Sequence, residues 1–196
     1  RAFTPTSGPG ISLMSEFIGF AYYSELPAVL FNIQRTGPST GMPTRTQQCD
    51  LLLCAYASHG DTKHPMLFPA NPEECFYMTL AAFDLADELQ TPVFLMSDLD
   101  VGMNDWMCKD LEWNKNYKPK RGKVLSSDQL EKIEKFYRYY DSDGDGIPYR
   151  SLPGVHPKGS FFTRGSGHNK YGGYTEDGDE YQEVVDRLKV KWNTAR

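Results

Sequence analysis

The residues best suited to chemistry form one loop, the string from Gln34 to Arg45 that reads QRTGPSTGMPTR. It directly follows a continuous apolar run from Ala28 to Ile33, which is typical of a strand buried on both faces. Ligands of open α/β sheets bind beyond the carboxyl ends of the strands, so the loop is placed at a binding edge. A permanently charged Arg35 among hydroxyls predicts a site for a small carboxylate or phosphate. An arginine that only satisfies loop carbonyls would give the same pattern.

The same loop lacks the residue sets that perform catalysis by themselves. It holds no Ser/His/Asp or Cys/His combination and no paired carboxylates, which are the usual nucleophiles and bases. We therefore expect the loop to supply binding, with a cofactor bringing the reactivity.

A second loop, from Thr6 to Gly10, precedes an apolar helical pattern. Its small residues and the free amides of a helix start would let a flat or anionic group approach the backbone. An ordinary turn of an α/β protein looks similar. The segment has neither the G-x-G-x-x-G pattern of dinucleotide sites nor the Gly-Lys-Ser/Thr of a P-loop, and we expect no strand before it.

The string from Asp141 to Gly146 resembles the start of a calcium-binding loop, with carboxylates at positions 1, 3 and 5 and glycine at position 6. Position 12, which should be a bidentate Glu, is Leu152, and Pro148 stands at position 8. An Asp/Gly turn whose side chains satisfy the local backbone explains the string better. A weak contact with a cation remains the alternative, and we predict no metal site.

Hydrophobic periodicity predicts an α/β fold with a mostly parallel sheet in the first hundred residues. The predicted elements are a helix from Ile11 to Tyr23 opened by Pro9, a strand from Ala28 to Ile33, a helix from Gln47 to Ser58, a helix from Asn71-Pro72 to Leu89, and a strand from Val93 to Met96. Residues 101–196 are predicted to form a loop-rich extension with two helices, one from Ser126 through Phe136 and one from Glu180 to Trp192.

Composition excludes several classes of function. The 196 residues carry a formal net charge of −5 with no basic run, which disfavours nucleic acid as a partner. No apolar run approaches the roughly 20 residues that span a bilayer, so we expect no membrane segment.

The cysteines and histidines point to a reduced protein without a zinc site. None of Cys49, Cys54, Cys75 and Cys108 forms a C-x-x-C pair, and buried thiols in a cytoplasmic protein are the expected arrangement. The four histidines have no partners at metal-ligand spacing. Since the chain begins Arg1-Ala2-Phe3 without Met, we expect a segment of a longer polypeptide.

Taken together, several strings of this sequence closely resemble the alpha subunit of the 2-oxoacid:ferredoxin oxidoreductases, of the 2-oxoglutarate or pyruvate synthase type. The resemblance covers about Phe3 to Leu99, the pyrimidine-binding domain for thiamine diphosphate. The strings that carry it are Thr6 to Gly10, Ser12 to Glu16, Glu25-Leu26-Pro27, Gln34 to Thr44, and Gln48 to Leu51. A second block, from Asp145 to Gly154 and from Gly165 to His168, is similar to the linker that follows this domain in the family.

This resemblance implies oxidative decarboxylation of a 2-oxoacid, with 2-oxoglutarate favoured, to acyl-CoA, with electrons passed to ferredoxin. Arg35 matches the arginine that binds the substrate carboxylate, and Thr44 matches a threonine of the same pocket. Ser7, Gly8 and Pro9 match the loop next to the cofactor. Residues 1–100 then form the C-terminal portion of the pyrimidine-binding domain, and residues 101–196 lead toward a following domain.

The resemblance also implies a partner. Thiamine diphosphate is shared with a beta subunit, which holds the diphosphate and Mg²⁺, while an iron–sulfur cluster lies on a partner subunit, and coenzyme A and ferredoxin join the assembly. The family's catalytic Glu lies upstream of this segment, so no catalytic residue is assigned, and neither Glu16 nor Glu25 takes its place. A non-catalytic or specialised paralogue that keeps the fold as a subunit-interface module is the alternative.

Overall fold

The computed structural model describes residues 1–195 and divides the chain into two compact units, residues 1–120 and residues 121–196. The first unit is built around a four-stranded sheet in the order β1-β2-β4-β3, and every neighbouring pair of strands is parallel. The predicted α/β class with a parallel sheet is confirmed. The boundary near residue 100, as a division between functional domains, stays a prediction.

The strands of the sheet are separated by helices, as parallel connections require. In chain order the elements of the first unit are β1 (Phe3–Thr6), α1 (Gly8–Leu13), α2 (Ser15–Tyr23), β2 (Ala28–Gln34), α3 (Leu51–Ala55), β3 (Met66–Leu67), α4 (Pro72–Leu89), β4 (Pro92–Asp98) and α5 (Leu99–Met103).

Helices cover both faces of the sheet because its central strands are apolar on both sides. On one face Val29 and Val93 pack against Ala82 and Ala86 of α4. On the other face the buried residues come from the strands, from α1, α2 and α3, and from the segment that follows α3: Ile11, Ile18, Leu30, Cys54, Ala57, Phe94 and Met96. Successive side chains of β2 and β4 therefore point to opposite faces of the sheet, as the two-residue period of a strand requires.

Helix α4 begins as its sequence predicts. The side chain of Asn71 accepts a hydrogen bond from the backbone N–H of Glu74, Pro72 occupies the first turn, and Glu73 and Glu74 add negative charge there. Each feature stabilises a helix start. The helix ends at Leu89, where Gln90 adopts a left-handed conformation with φ of 51°.

Several features of this unit differ from the sequence-based predictions. A strand, β1, does precede the Thr6–Gly10 loop, and β3 was not predicted. The helix predicted from Ile11 to Tyr23 is two helices that meet at Met14. The helix predicted from Gln47 to Ser58 is only the five residues of α3. Of the cysteines only Cys54 is fully buried, although all four are free, and Cys49 and Cys108 are exposed.

The second unit contains α6 (Ser127–Lys132), a 3₁₀ turn (Pro157–Gly159) and α7 (Gly178–Thr194). Helix α6 opens with the predicted capping box, in which Ser126 and Gln129 exchange hydrogen bonds between side chain and backbone. It ends at Lys132 and does not reach Phe136 as predicted. Two carbonyls at this end, those of Glu131 and Ile133, accept hydrogen bonds from Lys158 Nζ.

Candidate functional site

The end of β2 delivers the Gln34–Arg45 loop to the carboxyl edge of the sheet. Gln34, the last residue of the strand, is buried, and its side-chain amide donates to the carbonyl of Ser97 on β4 at 3.3 Å. Its carbonyl oxygen Oε1 accepts the backbone N–H of Asp50, also at 3.3 Å. Arg35 follows directly, so its backbone is anchored between the central strands and the residue that precedes α3.

Backbone hydrogen bonds close the loop on itself. The N–H of Thr36 donates to the carbonyl of Arg45 at 2.9 Å, and the N–H of Met42 donates to the carbonyl of Thr36 at 3.0 Å. Gly41 has φ of 59°, and a Cβ there would lie 1.7 Å from the Thr36 oxygen. Only glycine fits this position, which explains one of the two glycines in the string.

A cleft of about 640 Å³ opens between this loop and the turn after β1. Its walls come from three segments of the chain: Gly8, Pro9, Ser12 and Leu13 from the first, residues 35–40 from the second, and Gln47, Cys49, Asp50 and Leu53 from the third. Such a volume is within the roughly 300–1,000 Å³ range of small-molecule sites. The position agrees with the rule that ligands of parallel sheets bind beyond the carboxyl ends of the strands.

Arg35 is the cation of this cleft. Its Nε is buried and has no hydrogen-bond partner, and among residues 1–195 no carboxylate lies within ion-pair distance of its guanidinium. Arg45, ten residues further on, is exposed and donates to the carbonyl of Thr44 at 3.1 Å. The cleft therefore offers an arginine whose charge is not neutralised within the described chain, as an anionic ligand requires.

Asp50 is the carboxylate of the same cleft, and the sequence analysis did not single it out. Its Oδ2 accepts a hydrogen bond from Asn32 Nδ2 at 3.1 Å, and Asn32 is fully buried. Asn32 also donates to Cys54 Sγ at 3.3 Å, and burial raises the pKa of this thiol to about 12. The polar Asn32 within the apolar run of β2 is the sequence signal that would have indicated a buried polar contact here.

A comparison with known families decides which group the chain belongs to. The family model for the thiamine-diphosphate-binding domain of pyruvate flavodoxin/ferredoxin oxidoreductases matches residues 1–127. The chain is a member of this family. Its cleft thus lies in a domain type that binds thiamine diphosphate, and the resemblance stated from the sequence is confirmed.

Relatives of this thiamine-diphosphate-binding family extend the match. The chain is 49% identical over 102 residues to a 2-oxoglutarate synthase subunit of Methanocaldococcus jannaschii, covering 52% of this chain and 28% of the relative. It is 40% identical over 179 residues to the alpha subunit of a 2-oxoacid:ferredoxin oxidoreductase of Aeropyrum pernix, covering 90% of this chain and 26% of the relative.

A solved structure of the family is similar over nearly the whole chain. It is the 2-oxoglutarate:ferredoxin oxidoreductase of Magnetococcus marinus with 2-oxoglutarate, coenzyme A and succinyl-CoA bound, at a TM-score of 0.84 and 28% identity, covering 98% of this chain and 32% of that one. The chain thus spans about a quarter to a third of the length of these relatives.

The family residues predicted for the site fall into two groups in the structure. Gly8, Pro9 and Arg35 line the cleft. Ser7 caps α1 without a side-chain hydrogen bond to it, and Thr44 is exposed next to Arg45. Neither of the last two is among the residues that line the cleft, and the roles of all five stay predictions.

The Asp141–Gly146 string forms the turn expected for Asp and Gly in this family member. The Asp141 carboxylate accepts the N–H groups of Gly144 and Gly146, at 3.0 and 2.9 Å. The carboxylate oxygens of Asp141, Asp143 and Asp145 lie within 4.8 Å of one another.

A lysine that the sequence analysis overlooked contacts this turn. Lys123 Nζ lies 2.7 Å from Asp143 Oδ1 and from Asp145 Oδ1, and 2.9 Å from the carbonyl of Ile147. Burial lowers the pKa of Lys123, but the hydrogen bonds to the two aspartates outweigh burial and raise it overall. An ammonium group therefore supplies positive charge beside carboxylates that resemble a calcium loop.

Within residues 1–195, no helix is long and apolar enough to cross a membrane.

Proposed function

We propose that this chain is part of the alpha subunit of a 2-oxoacid:ferredoxin oxidoreductase, which oxidatively decarboxylates a 2-oxoacid to acyl-CoA and passes the electrons to ferredoxin. The observation that carries the proposal is Arg35, whose guanidinium has no carboxylate partner among the described residues and faces a cleft at the carboxyl edge of a parallel sheet. The names of its relatives favour 2-oxoglutarate as the substrate.

The cleft fits the aminopyrimidine end of thiamine diphosphate. A flat ring needs a wall without a protruding side chain, and Gly8 and Pro9 provide such a wall on one side. Ser7, whose hydroxyl is not used to cap α1, has a hydrogen-bonding group left for the cofactor. When bound, thiamine diphosphate supplies the electron sink that loss of CO₂ requires.

Arg35 holds the substrate carboxylate until it is lost as CO₂. A guanidinium binds a carboxylate through two parallel hydrogen bonds and stays charged at any physiological pH. The closed loop from Thr36 to Arg45 restrains its backbone, so orientation as well as charge is supplied. Thr44, in the same loop, contributes to the preference among 2-oxoacids.

An apolar surface beside the cleft supports a beta subunit as the partner. Leu13, Phe17, Leu52 and Tyr56 of α1–α3 and the residue after α3 expose 57–87% of their surface. Exposed apolar clusters of this kind mark interaction sites, and relatives are named as alpha subunits. In the proposed assembly the beta subunit holds the diphosphate and Mg²⁺, and a partner subunit holds the iron–sulfur cluster.

Coenzyme A and ferredoxin complete the proposed assembly, which we place in the cytoplasm. The net charge of −5 and the free cysteines agree with a cytoplasmic enzyme that does not bind nucleic acid.

The test is the reaction catalysed by the complete enzyme, purified with its partner subunit under exclusion of oxygen. A panel of 2-oxoacids is supplied with coenzyme A and oxidised ferredoxin, and acyl-CoA, CO₂ and reduced ferredoxin are measured. We expect one acyl-CoA and two reduced one-electron carriers per CO₂, with 2-oxoglutarate among the best substrates. A correctly assembled, cofactor-loaded complex that turns over no 2-oxoacid would instead identify a non-catalytic paralogue.

A further inference from the structure

Gly8 and Asp50 touch across the floor of the cleft. A Cβ at Gly8 would lie 2.6 Å from Asp50 Oδ1, 2.8 Å from Oδ2 and 2.9 Å from the carboxyl carbon. These distances are below any that real Cβ atoms show, so the turn after β1 packs directly on this carboxylate. Asp50 itself is only 8% exposed.

Asp50 is held in place from the other side by β2. Asn32 Nδ2 donates to the Asp50 carboxylate at 3.1 Å, and the backbone N–H of Asp50 donates to Gln34 Oε1 at 3.3 Å. The backbone carbonyl of Asp50 accepts the N–H of Cys54 in α3 at 2.9 Å. A side chain with its carboxylate and its backbone both bound has little freedom to move aside.

We propose that Asp50 is a positioning residue of the cleft: its carboxylate is the spacer that sets how closely the Gly8 turn approaches β2 and the Arg35 loop. Gly8 and Pro9 form one wall of the cleft, and Arg35 belongs to another. Asp50 connects the two walls, because its carboxylate packs against Gly8 and its backbone N–H donates to Gln34, the residue before Arg35. This inference rests on the proposed function, since the wall spacing then governs how cofactor and 2-oxoacid are held together.

If Asp50 acts as a spacer, the shape of its side chain matters and its negative charge does not. An Asn at position 50 has the same shape, and its amide oxygen accepts the Asn32 hydrogen bond in the same way. An Ala removes both the spacer and the acceptor, and leaves the buried Asn32 amide without this partner. The two substitutions therefore separate a spacer from a carboxylate that acts by its charge.

The first experiment uses the complete enzyme and the variants Asp50→Asn and Asp50→Ala, with Asp61→Asn as the matched control. Asp61 is exposed after α3 and lies outside the cleft. Three quantities are measured: the Kd of thiamine diphosphate with Mg²⁺ by fluorescence quenching of the apoenzyme, the KM for the 2-oxoacid, and the Tm of the complex.

We expect Asp50→Ala to raise the cofactor Kd or the 2-oxoacid KM by about 10- to 100-fold, the usual effect of losing a hydrogen bond to a charged group. Asp50→Asn should recover at least half of that loss on a logarithmic scale. An Asp50→Asn enzyme as impaired as Asp50→Ala would overturn the spacer role and show that the negative charge acts on the ligand directly. Asp50→Ala values equal to those of Asp61→Asn would overturn it as well.

A double-mutant cycle keeps the inference testable even where a single variant folds poorly. Gly8→Ala places a methyl group against the Asp50 carboxylate, while Gly8→Ala with Asp50→Ala removes the group it would meet. We expect the cofactor affinity and the Tm of the double variant to exceed those of Gly8→Ala alone, a strong non-additivity of the kind that contacting residues show. Additive effects would contradict the contact as the determinant of the cleft.

The outcomes also distinguish this inference from the proposed function. A wild-type complex that neither binds thiamine diphosphate nor turns over a 2-oxoacid would defeat the proposed function. A wild-type complex that does both, with Gly8 and Asp50 acting additively, would defeat the spacer role alone.

Discussion

Replacing Arg35 with alanine in the complete enzyme removes the one feature on which the proposed substrate recognition depends. Among the described residues the guanidinium pairs with no carboxylate, and the hydrogen bond from Cys49 Sγ at 3.4 Å is accepted by the backbone carbonyl of Arg35, not by its side chain. The side chain is therefore not needed to hold its own loop, and folding, subunit assembly and cofactor content should be unchanged.

The magnitude follows from the chemistry of a desolvated charge pair. Truncating one partner of a buried, hydrogen-bonded pair costs about 2–5 kcal/mol, which corresponds to roughly 30- to 3,000-fold in kcat/KM at about 1.4 kcal/mol per decade. Arg35→Lys keeps the charge but loses the fork that binds a carboxylate through two hydrogen bonds. Its kcat/KM should lie between those of the wild type and Arg35→Ala.

The assay is steady-state reduction of a viologen dye by each 2-oxoacid, normalised to bound thiamine diphosphate. Arg45→Ala is the matched control, because Arg45 belongs to the same loop but is exposed and bonded to its neighbour Thr44; we expect it to stay within about threefold of wild type, as surface substitutions do. An assembled Arg35→Ala enzyme within threefold of wild type on its best substrate would refute the role of Arg35 and leave it a brace of the loop.

Three further predictions concern other parts of the chain. Thr44→Ala should lower kcat/KM less than Arg35→Ala and change the ranking of 2-oxoacids, which competition between two substrates measures. Burial lowers the pKa of His64 to about 4, so the unfolded chain binds a proton at this residue more readily than the folded chain does. The contribution of His64 to the free energy of unfolding is therefore fully present above about pH 6.5 and falls by roughly 3 kcal/mol toward pH 4. Urea titrations should show this loss, and His64→Gln should abolish it. Calcium should bind the Asp141–Asp145 turn far more weakly than the roughly 10⁻⁷–10⁻⁵ M of sensor loops, because Lys123 supplies charge there and Leu152 replaces the bidentate Glu; micromolar binding in calorimetry, lost in Asp143→Ala, would contradict this.

Strong local signals made the central elements predictable. The apolar run of β2 and the Asn-Pro-Glu-Glu start of α4 act within a few residues, so they could be recognised without knowing the fold. Strand β1 gave no such signal: it is a four-residue edge strand, FTPT, with an alternating exposed pattern and a proline, a residue that strands tolerate at an edge. Strand β3 has only two residues.

Helix lengths were predicted less well because distant contacts end the helices. Residues 47–50 contain neither proline nor glycine and could continue α3 toward its N-terminus, but Gln48 donates to Asp98 at 2.7 Å and the N–H of Asp50 donates to Gln34. These bonds to β2 and β4 compete with a helical backbone. The contact of Lys158 with the end of α6 is likewise invisible in a local pattern.

The site shows the same division between local and distant information. The position of Arg35 at the carboxyl edge of the sheet was predictable because the strand and the loop that place it are adjacent in sequence. The contact between Gly8 and Asp50, and that between Lys123 and Asp143, join residues far apart in the chain, so no spacing rule reveals them.

The most direct measurement is reconstitution of the complete enzyme after its thiamine diphosphate and Mg²⁺ have been removed. We expect that 2-oxoglutarate no longer reduces ferredoxin in the stripped enzyme, and that adding thiamine diphosphate with Mg²⁺ restores the rate together with coenzyme A-dependent release of CO₂. Reduction of ferredoxin that persists without the cofactor, or a fully loaded enzyme that releases no CO₂ from any 2-oxoacid, would contradict it.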